Sequence, residues 1–375
     1  MDAKEDVMVR PGTYGEIMRR SSTYVDDYTM SLQFPACDWS GYFLFAPLEG
    51  DGPCQAVNLG VCIGLAKGDE HNVPQWTGDP DRLFVIASVV ADGVSYRWLD
   101  DASYSRRDLI YARQNLDLQV ADVIRLRGAW PHFEMYVRDP LHDITYELEG
   151  RAGFVHWVPD HMQRDNLYSY VCFPDFAFHG AISIAGTVHE VRGTGGLDHV
   201  AARTVGSSSS PGVGFWHYDP ILWDDGHVSN GLFYLGRKGE PYIHSGVTTI
   251  PDGGYHPAER FTIEYLELGE GTANAGSLGP PQVVPRRWRA TMEAEHGTLT
   301  YETTPRSVRA PDGTPLIEPN VVFDAVGEFR SRAGEVTHLT GKGHNEYMGA
   351  AFDPSRMMDA RGGRGLVVAA RVGGA

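Results

Sequence analysis

Two short runs hold most of the side chains able to move protons on an apolar molecule. The first is Asp198-His199. The second is Phe215-Trp216-His217-Tyr218-Asp219, followed by Trp223-Asp224-Asp225. If residues 215–219 form a strand, Phe215, His217 and Asp219 share one face and Trp216 and Tyr218 the other. A carboxyl kept protonated by apolar, aromatic surroundings acts as a general acid at neutral pH. Aromatic faces stabilise a developing positive charge. Together these groups suit protonation of a carbon–carbon double bond. The plainer alternative is an Asp–His pair bracing a turn with the aromatics packed as core, because a buried Asp or His needs a partner or a shifted pKa.

Weaker candidates lie elsewhere. Asp252-Gly253-Gly254-Tyr255-His256 reads as a turn, with Tyr255 or His256 able to face a pocket. His156-Trp157 either borders a cleft between two halves or joins a core. His338 and the Lys342-Gly343-His344-Asn345-Glu346-Tyr347 run complete the set. Gly193-Thr194-Gly195-Gly196 leads into a β pattern and is expected to be a tight turn. Phosphate and dinucleotide signatures are missing, as are H-E-x-x-H and G-x-S-x-G. The 15 histidines are scattered, so no protein-bound metal is expected.

The elements that must position these groups are strands. Gly 44, Pro 23 and 11% aromatic residues favour short strands joined by tight turns. Period-two alternation is clear at Phe133/Met135/Val137, Ile144/Tyr146/Leu148, Phe261/Ile263/Tyr265 and Trp288/Ala290/Met292/Ala294. Asp92-Gly93, Asp225-Gly226, Asp252-Gly253 and Asp312-Gly313 mark turns. Tyr42-Phe43-Leu44-Phe45 reads as an aromatic strand. Only Pro159–Tyr170 and a turn near Arg106–Arg113 suggest helix, so a parallel α/β sheet is disfavoured. The pattern is that of sandwiches or barrels. A boundary is expected at about residue 180, giving domains 1–180 and 181–358 and a tail, 359–375.

Forty-nine acidic against 32 basic side chains leave a net charge of -17. That argues against nucleic acid and anionic membrane surfaces as partners. The one tight basic cluster, Arg286, Arg287 and Arg289, reads as a solvated strand edge. No segment nears the ~20 apolar residues of a membrane span. Met1 to Arg10 is charged and lacks an apolar signal core, so a soluble, cytoplasmic protein is expected. Cys37, Cys54, Cys62 and Cys172 match no zinc or disulfide spacing and read as buried thiols, with a bridge or a reactive thiol as the alternatives.

The segment Gly186-Thr187-Val188-His189-Glu190-Val191-Arg192-Gly193-Thr194-Gly195-Gly196-Leu197-Asp198-His199, then Val213-Gly214-Phe215-Trp216-His217-Tyr218 and Leu222-Trp223-Asp224-Asp225-Gly226, resembles the carotenoid hydratase (hydroxyneurosporene synthase) superfamily. That superfamily also takes in kievitone hydratase and decalin-forming Diels–Alderases. The motif match covers about residues 180 to 250. In the family a Trp commonly follows the Asp-His; here Ala201 stands at that position. The resemblance implies an all-β chain of two lipocalin-like domains, the N-terminal one sandwich-like and the C-terminal one barrel-like. It also implies a hydrophobic pocket in or between them and no organic cofactor.

The resulting expectation is a hydratase or cyclase of secondary metabolism acting on an isoprenoid, polyene or polyketide. Asp198 is the expected proton donor and His199 its orienting or relaying neighbour, with His217 and Tyr218 as further polar contacts. Phe215, Trp216, Trp223, Tyr255 and Trp157 are the expected pocket walls. The alternatives are a pericyclase that works by shape and carbonyl activation and a non-catalytic carrier of a hydrophobic ligand. Self-association into a homodimer is left open.

Overall fold

The computed structural model describes residues 39–63, 83–100, 103–111, 116–157, 168–202, 213–236, 241–270, 283–317, 320–348 and 367–371. In the first half the strands are β1 (Trp39–Pro47), β2 (Cys54–Ile63), β3 (Leu83–Ala91), β4 (Val94–Asp100), β5 (Leu109–Tyr111) and β6 (Leu116–Val120). They continue with β7 (Ile124–Ala129), β8 (His132–Asp139), β9 (Ile144–Arg151), β10 (His156–Trp157), β11 (Tyr168–Ile184) and β12 (Thr187–Ala202). The second half holds β13 (Val213–Trp223), β14 (Val228–Gly236), β15 (Pro241–Thr248), β16 (His256–Glu270), β17 (Val283–Ala294) and β18 (Gly297–Pro305). It ends with β19 (Val308–Arg309), β20 (Pro315–Leu316), β21 (Asn320–Ser331), β22 (Val336–Met348) and β23 (Val367–Arg371). Among the described residues the helical element is the 3-10 turn Arg106–Asp108, held by a Ser105 capping box. Of the expected helix at Pro159–Tyr170, residues 158–167 lie outside the described residues and 168–170 belong to β11.

The strands form two units. The first sheet runs β20-β19-β4-β3-β2-β1-β12-β11-β9-β8-β7-β6-β5, with β10 beside β11. The second runs β15-β14-β13-β22-β21-β18-β17-β16 and closes through β15–β16 pairing into an eight-stranded barrel, with β23 alongside β16. The architecture is thus all-β, two lipocalin-like domains, as the resemblance implies. The expected boundary near residue 180 falls inside β11. Because β11 and β12 are one long antiparallel pair, the chain first changes sheet between β12 and β13. The β19–β20 hairpin returns to the first sheet through Arg309 and Val94.

The four alternating runs bury the faces expected of them: Phe133, Met135, Val137; Ile144, Tyr146, Leu148; Phe261, Ile263, Tyr265; and Trp288, Ala290, Met292, Ala294. The first sheet curls over a single core that joins residues of β1–β4 to residues of β6–β9. The Tyr146 hydroxyl on β9 spans that curl and donates to the Asn58 carbonyl on β2. The barrel is filled by its own side chains, among them Trp223, Phe261, Tyr265, Trp288, Tyr301 and Phe323. Arg287 and Arg289 pair with Glu302 and Glu264 across neighbouring strands of the barrel wall. Cys54, Cys62 and Cys172 are free and buried; Cys37 lies outside the described residues.

β3 departs from alternation, since all nine of its residues are buried. Leu83, Val85, Ala87, Val89 and Ala91 face the first core. Val90, on the opposite face, packs with Ala56 and with Val322 of the barrel. The second domain therefore covers the outer face of the first sheet there, and a strand buried on both faces shows no period of two.

Gly193-Thr194-Gly195-Gly196 is not a turn. It lies within β12, flat against β1. A Cβ at Gly195 would overlap the Phe45 carbonyl oxygen and come within 2.6 Å of the Ala46 Cα. These glycines allow close strand approach rather than reversal. We predict that Gly195→Ala lowers unfolding free energy by about 1–3 kcal/mol, the cost of overpacking. The turn residue Gly52, with open space around it, should tolerate Ala with no measurable change. Urea unfolding of both variants checks this.

Candidate functional site

β12 lies between β1 and β11, with Asp198 opposite Phe43 on one side and Cys172 on the other. Alternation gives Asp198 the same face as Gly196 and, through the register of β1 with β2, as Phe45, Asn58 and Cys62. That face is covered by the second domain. His199 points the other way, into the first core, where its ring stacks on Tyr42 at 4.4 Å. The structure therefore does not bring Asp198 and His199 together on one face. Direct orientation of Asp198 by the His199 ring is replaced by separation across the sheet.

The second domain meets this face with β13, β14 and β22. Tyr218 places its hydroxyl 3.3 Å from Cys172 Sγ and 2.9 Å from Asn230 Nδ2. Its ring meets Phe45 edge-on at 5.6 Å. The hydroxyl stands directly over Gly196, where an added Cβ would overlap it. Burial, then the neighbouring Cys172 and Asp198, pushes the Tyr218 phenol well above its usual range, so it stays a neutral hydrogen-bond donor. Glu346 of β22 pairs with Tyr218 in register. Burial, then Glu346 and Asp198, pushes the Cys62 thiol up. Two carboxylates thus approach one neutral thiol from opposite domains.

Further along the seam, His156 on β10 is opposite Cys172, and its Nδ1 lies 2.5 Å from the Tyr255 hydroxyl. The Phe154 ring packs beside Tyr255 at 5.9 Å. Tyr255 therefore ties the domains together near the site. The side chains of Trp157, Phe215 and Trp216 lie outside the described residues; their backbones are in β10 and β13.

His217 and Trp223 are turned into the barrel. His217 Nδ1 lies 3.1 Å from the Tyr265 hydroxyl, and Nε2 lies 3.0 Å from Asn345 Nδ2 and 3.6 Å from Asp219 Oδ2. Asp219 Oδ2 accepts hydrogen bonds from the Tyr301 hydroxyl at 2.6 Å and from Trp288 Nε1 at 3.1 Å. Trp223 donates its Nε1 hydrogen to Ser229. His217 is thus part of a buried brace, separated by the β13 backbone from Tyr218 and Asp198. Asn345 Nδ2 also donates to the Tyr218 carbonyl at 3.0 Å and links the two sides.

Sequence reasoning found Asp198 and Tyr218, which the fold brings together. It missed Asn230, read Cys172 only as a buried thiol, and named Glu346 only within the weaker Lys342–Tyr347 run. Glu346 had a signal: Lys342, His344 and Glu346 alternate with smaller or amide residues, as on one polar strand face. Among the described residues, no three His, Cys, Asp or Glu side chains gather into a metal-binding group.

No family model matches the chain, and no curated protein matches it. Among solved structures the chain is similar to an AttH-like protein from Nitrosomonas europaea, with TM-score 0.55 and 13% identity over 85% of this chain and 97% of that one. It is also similar to kievitone hydratase from Nectria haematococca, with TM-score 0.55 and 10% identity over 86% of this chain and 93% of the other. At these identities the likeness is one of fold.

Two histidines at the seam set a pH dependence. Burial holds His156 at about 4 and, with a smaller effect of Arg97, His344 also at about 4, both below the ordinary 6.5. Between those values the unfolded chain binds protons that the folded chain refuses. Their stabilisation is therefore complete above pH 6.5 and falls toward pH 4, by about 1.4 kcal/mol per pH unit for each histidine. Asp175, pushed by burial from 3.8 to about 6, acts in the opposite sense between those two values. With Asp175 opposing, the loss should be steepest at about pH 6 to 5.5 and shallower on either side. Urea unfolding across this range should show it, and His156→Asn should remove one histidine's share of the slope.

Proposed function

We propose that the protein is a cofactor-independent enzyme that adds water to, or cyclises, a carbon–carbon double bond of a bulky apolar substrate held between its two domains. An isoprenoid, polyene or polyketide fits the aromatic seam. One observation carries the reading: Asp198 is buried on the covered face of the first sheet beside the neutral Tyr218 phenol, and Glu346 stands opposite Tyr218 in register on the facing domain. The fold shared with a protein named a hydratase supports the same chemistry.

In the proposed reaction, protonated Asp198 gives its proton to one alkene carbon, leaving positive charge on the other. The rings of Phe43, Phe45 and Tyr218 stabilise that charge. Water adds to the cation and loses a proton to Glu346, so the net change is H and OH across the double bond. In a cyclisation, a second double bond captures the cation and Glu346 takes the departing proton. Proton transfer of this kind contributes roughly 10²–10⁴ to rate. His199, Trp223 and His217 act in this scheme as packing or bracing groups, and Tyr255 as a wall and domain tie.

A second reading has its own support. Asn230 donates to the Tyr218 oxygen, and the phenol hydrogen is set toward Cys172 Sγ, a weak acceptor that a substrate carbonyl would replace. A donor held this way would activate a carbonyl in a cycloaddition that needs no net proton transfer.

The test is capture of hydrophobic metabolites from a producing extract, then incubation in heavy-oxygen water with mass spectrometry. Hydration adds a labelled water; cyclisation changes retention at constant mass. Asp198→Asn should lower turnover about 100-fold or more and Glu346→Gln by a similar amount. Full turnover by Asp198→Asn would sink the acid role. A larger loss in Tyr218→Phe than in either carboxylate variant would favour the pericyclase.

A further inference from the structure

A second polar position shares the face of Asp198. Asn58 on β2 is opposite Phe45 of β1 and Ser88 of β3, so it faces the second domain, while its neighbours Val57 and Leu59 face the first core. Its side chain is completely buried, and neither Oδ1 nor Nδ2 has a hydrogen-bond partner among the described residues. From the other domain, His344 sets its ring edge-on against Phe45 at 5.8 Å and hydrogen-bonds the Val57 carbonyl. His344 is also buried, and its Nδ1 has no partner among the described residues. With the ring neutral and its other nitrogen donating, Nδ1 presents a lone pair.

The patch therefore offers one donor and two acceptors, all inside the protein. Buried polar atoms without partners are disfavoured and uncommon in folded proteins, so three at one place point to a group that supplies the partners. Asp198 lies two strands across and two residues along from Asn58. At ~4.8 Å between strands and ~3.3 Å per residue, the separation is roughly 12 Å. Phe43, Phe45 and Gly60 lie between them. An elongated apolar molecule with its double bond at Asp198 would place its far end at Asn58.

We propose that Asn58 and His344 form a subsite for a hydroxyl group, alcohol or phenol, at the end of the substrate remote from Asp198. The hydroxyl oxygen accepts from Asn58 Nδ2 and its hydrogen donates to His344 Nδ1 or Asn58 Oδ1. The subsite rests on the placement of substrate between the domains, but not on the acid role of Asp198.

The experiment uses the full chain and three fluorescent probes: parinaryl alcohol, its methyl ether and the matching tetraene hydrocarbon. The native protein should bind the alcohol about tenfold more tightly than the hydrocarbon, with the ether between. Asn58→Leu, nearly isosteric and without polar atoms, should bind alcohol and hydrocarbon alike while melting at the same or a higher temperature. His344→Phe should narrow the preference without abolishing hydrocarbon binding. Equal affinities in the native protein, or a preference unchanged in both variants, overturn the subsite. So does failure of the native protein to bind any probe. Asp198→Asn is measured in parallel. Full turnover with the alcohol preference intact overturns the acid role and keeps the subsite; lost turnover with no preference does the reverse.

Discussion

Tyr218 reaches the first sheet because residue 196 carries no side chain. Any Cβ there would occupy the space of the phenol oxygen, and β13 would have to stand away from β12. The contact between domains at this point depends on that one absence. Gly193 and Gly195 act similarly within the sheet, letting β1 and its carbonyls lie against β12. Asp198 follows two residues after Gly196 and shares its face. The close approach that admits the phenol therefore also buries the carboxyl. In such surroundings a carboxyl favours its neutral form or needs hydrogen bonds to stay charged, the condition under which it acts as an acid near neutral pH.

Strict alternation then decides which neighbours cooperate. Asp198 and His199 are adjacent in sequence and point to opposite sides of β12; His217 and Tyr218 do the same on β13. β13 thus serves as a shared wall. Tyr218 faces the seam, while His217, Asp219 and Trp223 brace the barrel through Tyr265, Trp288, Tyr301 and Ser229. Asn345 bonds to both the Tyr218 carbonyl and the His217 ring, so the brace fixes the backbone from which the phenol projects. The aromatic density that draws attention to residues 215–223 reflects both duties at once.

Much of the fold was legible because the chain alternates wherever one face is wet. The faces of β8, β9, β16 and β17 could be read from residue types alone. β3 could not, since a strand buried on both faces has no period to read, and its outer face reveals the domain contact only once the barrel is placed. The glycines of β12 resemble turn glycines in sequence; their role is set by what packs on them. Of the site, Asp198 and Tyr218 stood out by type. Cys172, Asn230, Glu346 and Asn58 come from four separate strands, and only the register of β1, β2, β11 and β12 and the docking of β13, β14 and β22 unite them. Asn58 was nonetheless conspicuous as an amide within Ala56-Val57-Asn58-Leu59-Gly60-Val61, a run otherwise suited to full burial.

A barrel of eight strands has room inside either for its own side chains or for one small ligand. Here Trp223, Phe261, Tyr265, Trp288, Tyr301 and Phe323 take that interior, and the curled first sheet is filled in the same way. Among the described residues both interiors are thus occupied by packed side chains. Polar side chains gather instead where the two units meet, and each unit supplies part of the set: Asp198, Cys172 and Asn58 from one, Tyr218, Asn230, Glu346 and His344 from the other. A site divided in this way is assembled only when the domains are together. That division accords with the proposed enzyme more than with a carrier: holding a ligand needs only an apolar enclosure, whereas the proposed proton transfer to and from carbon uses two carboxyl groups and a neutral phenol brought from opposite domains.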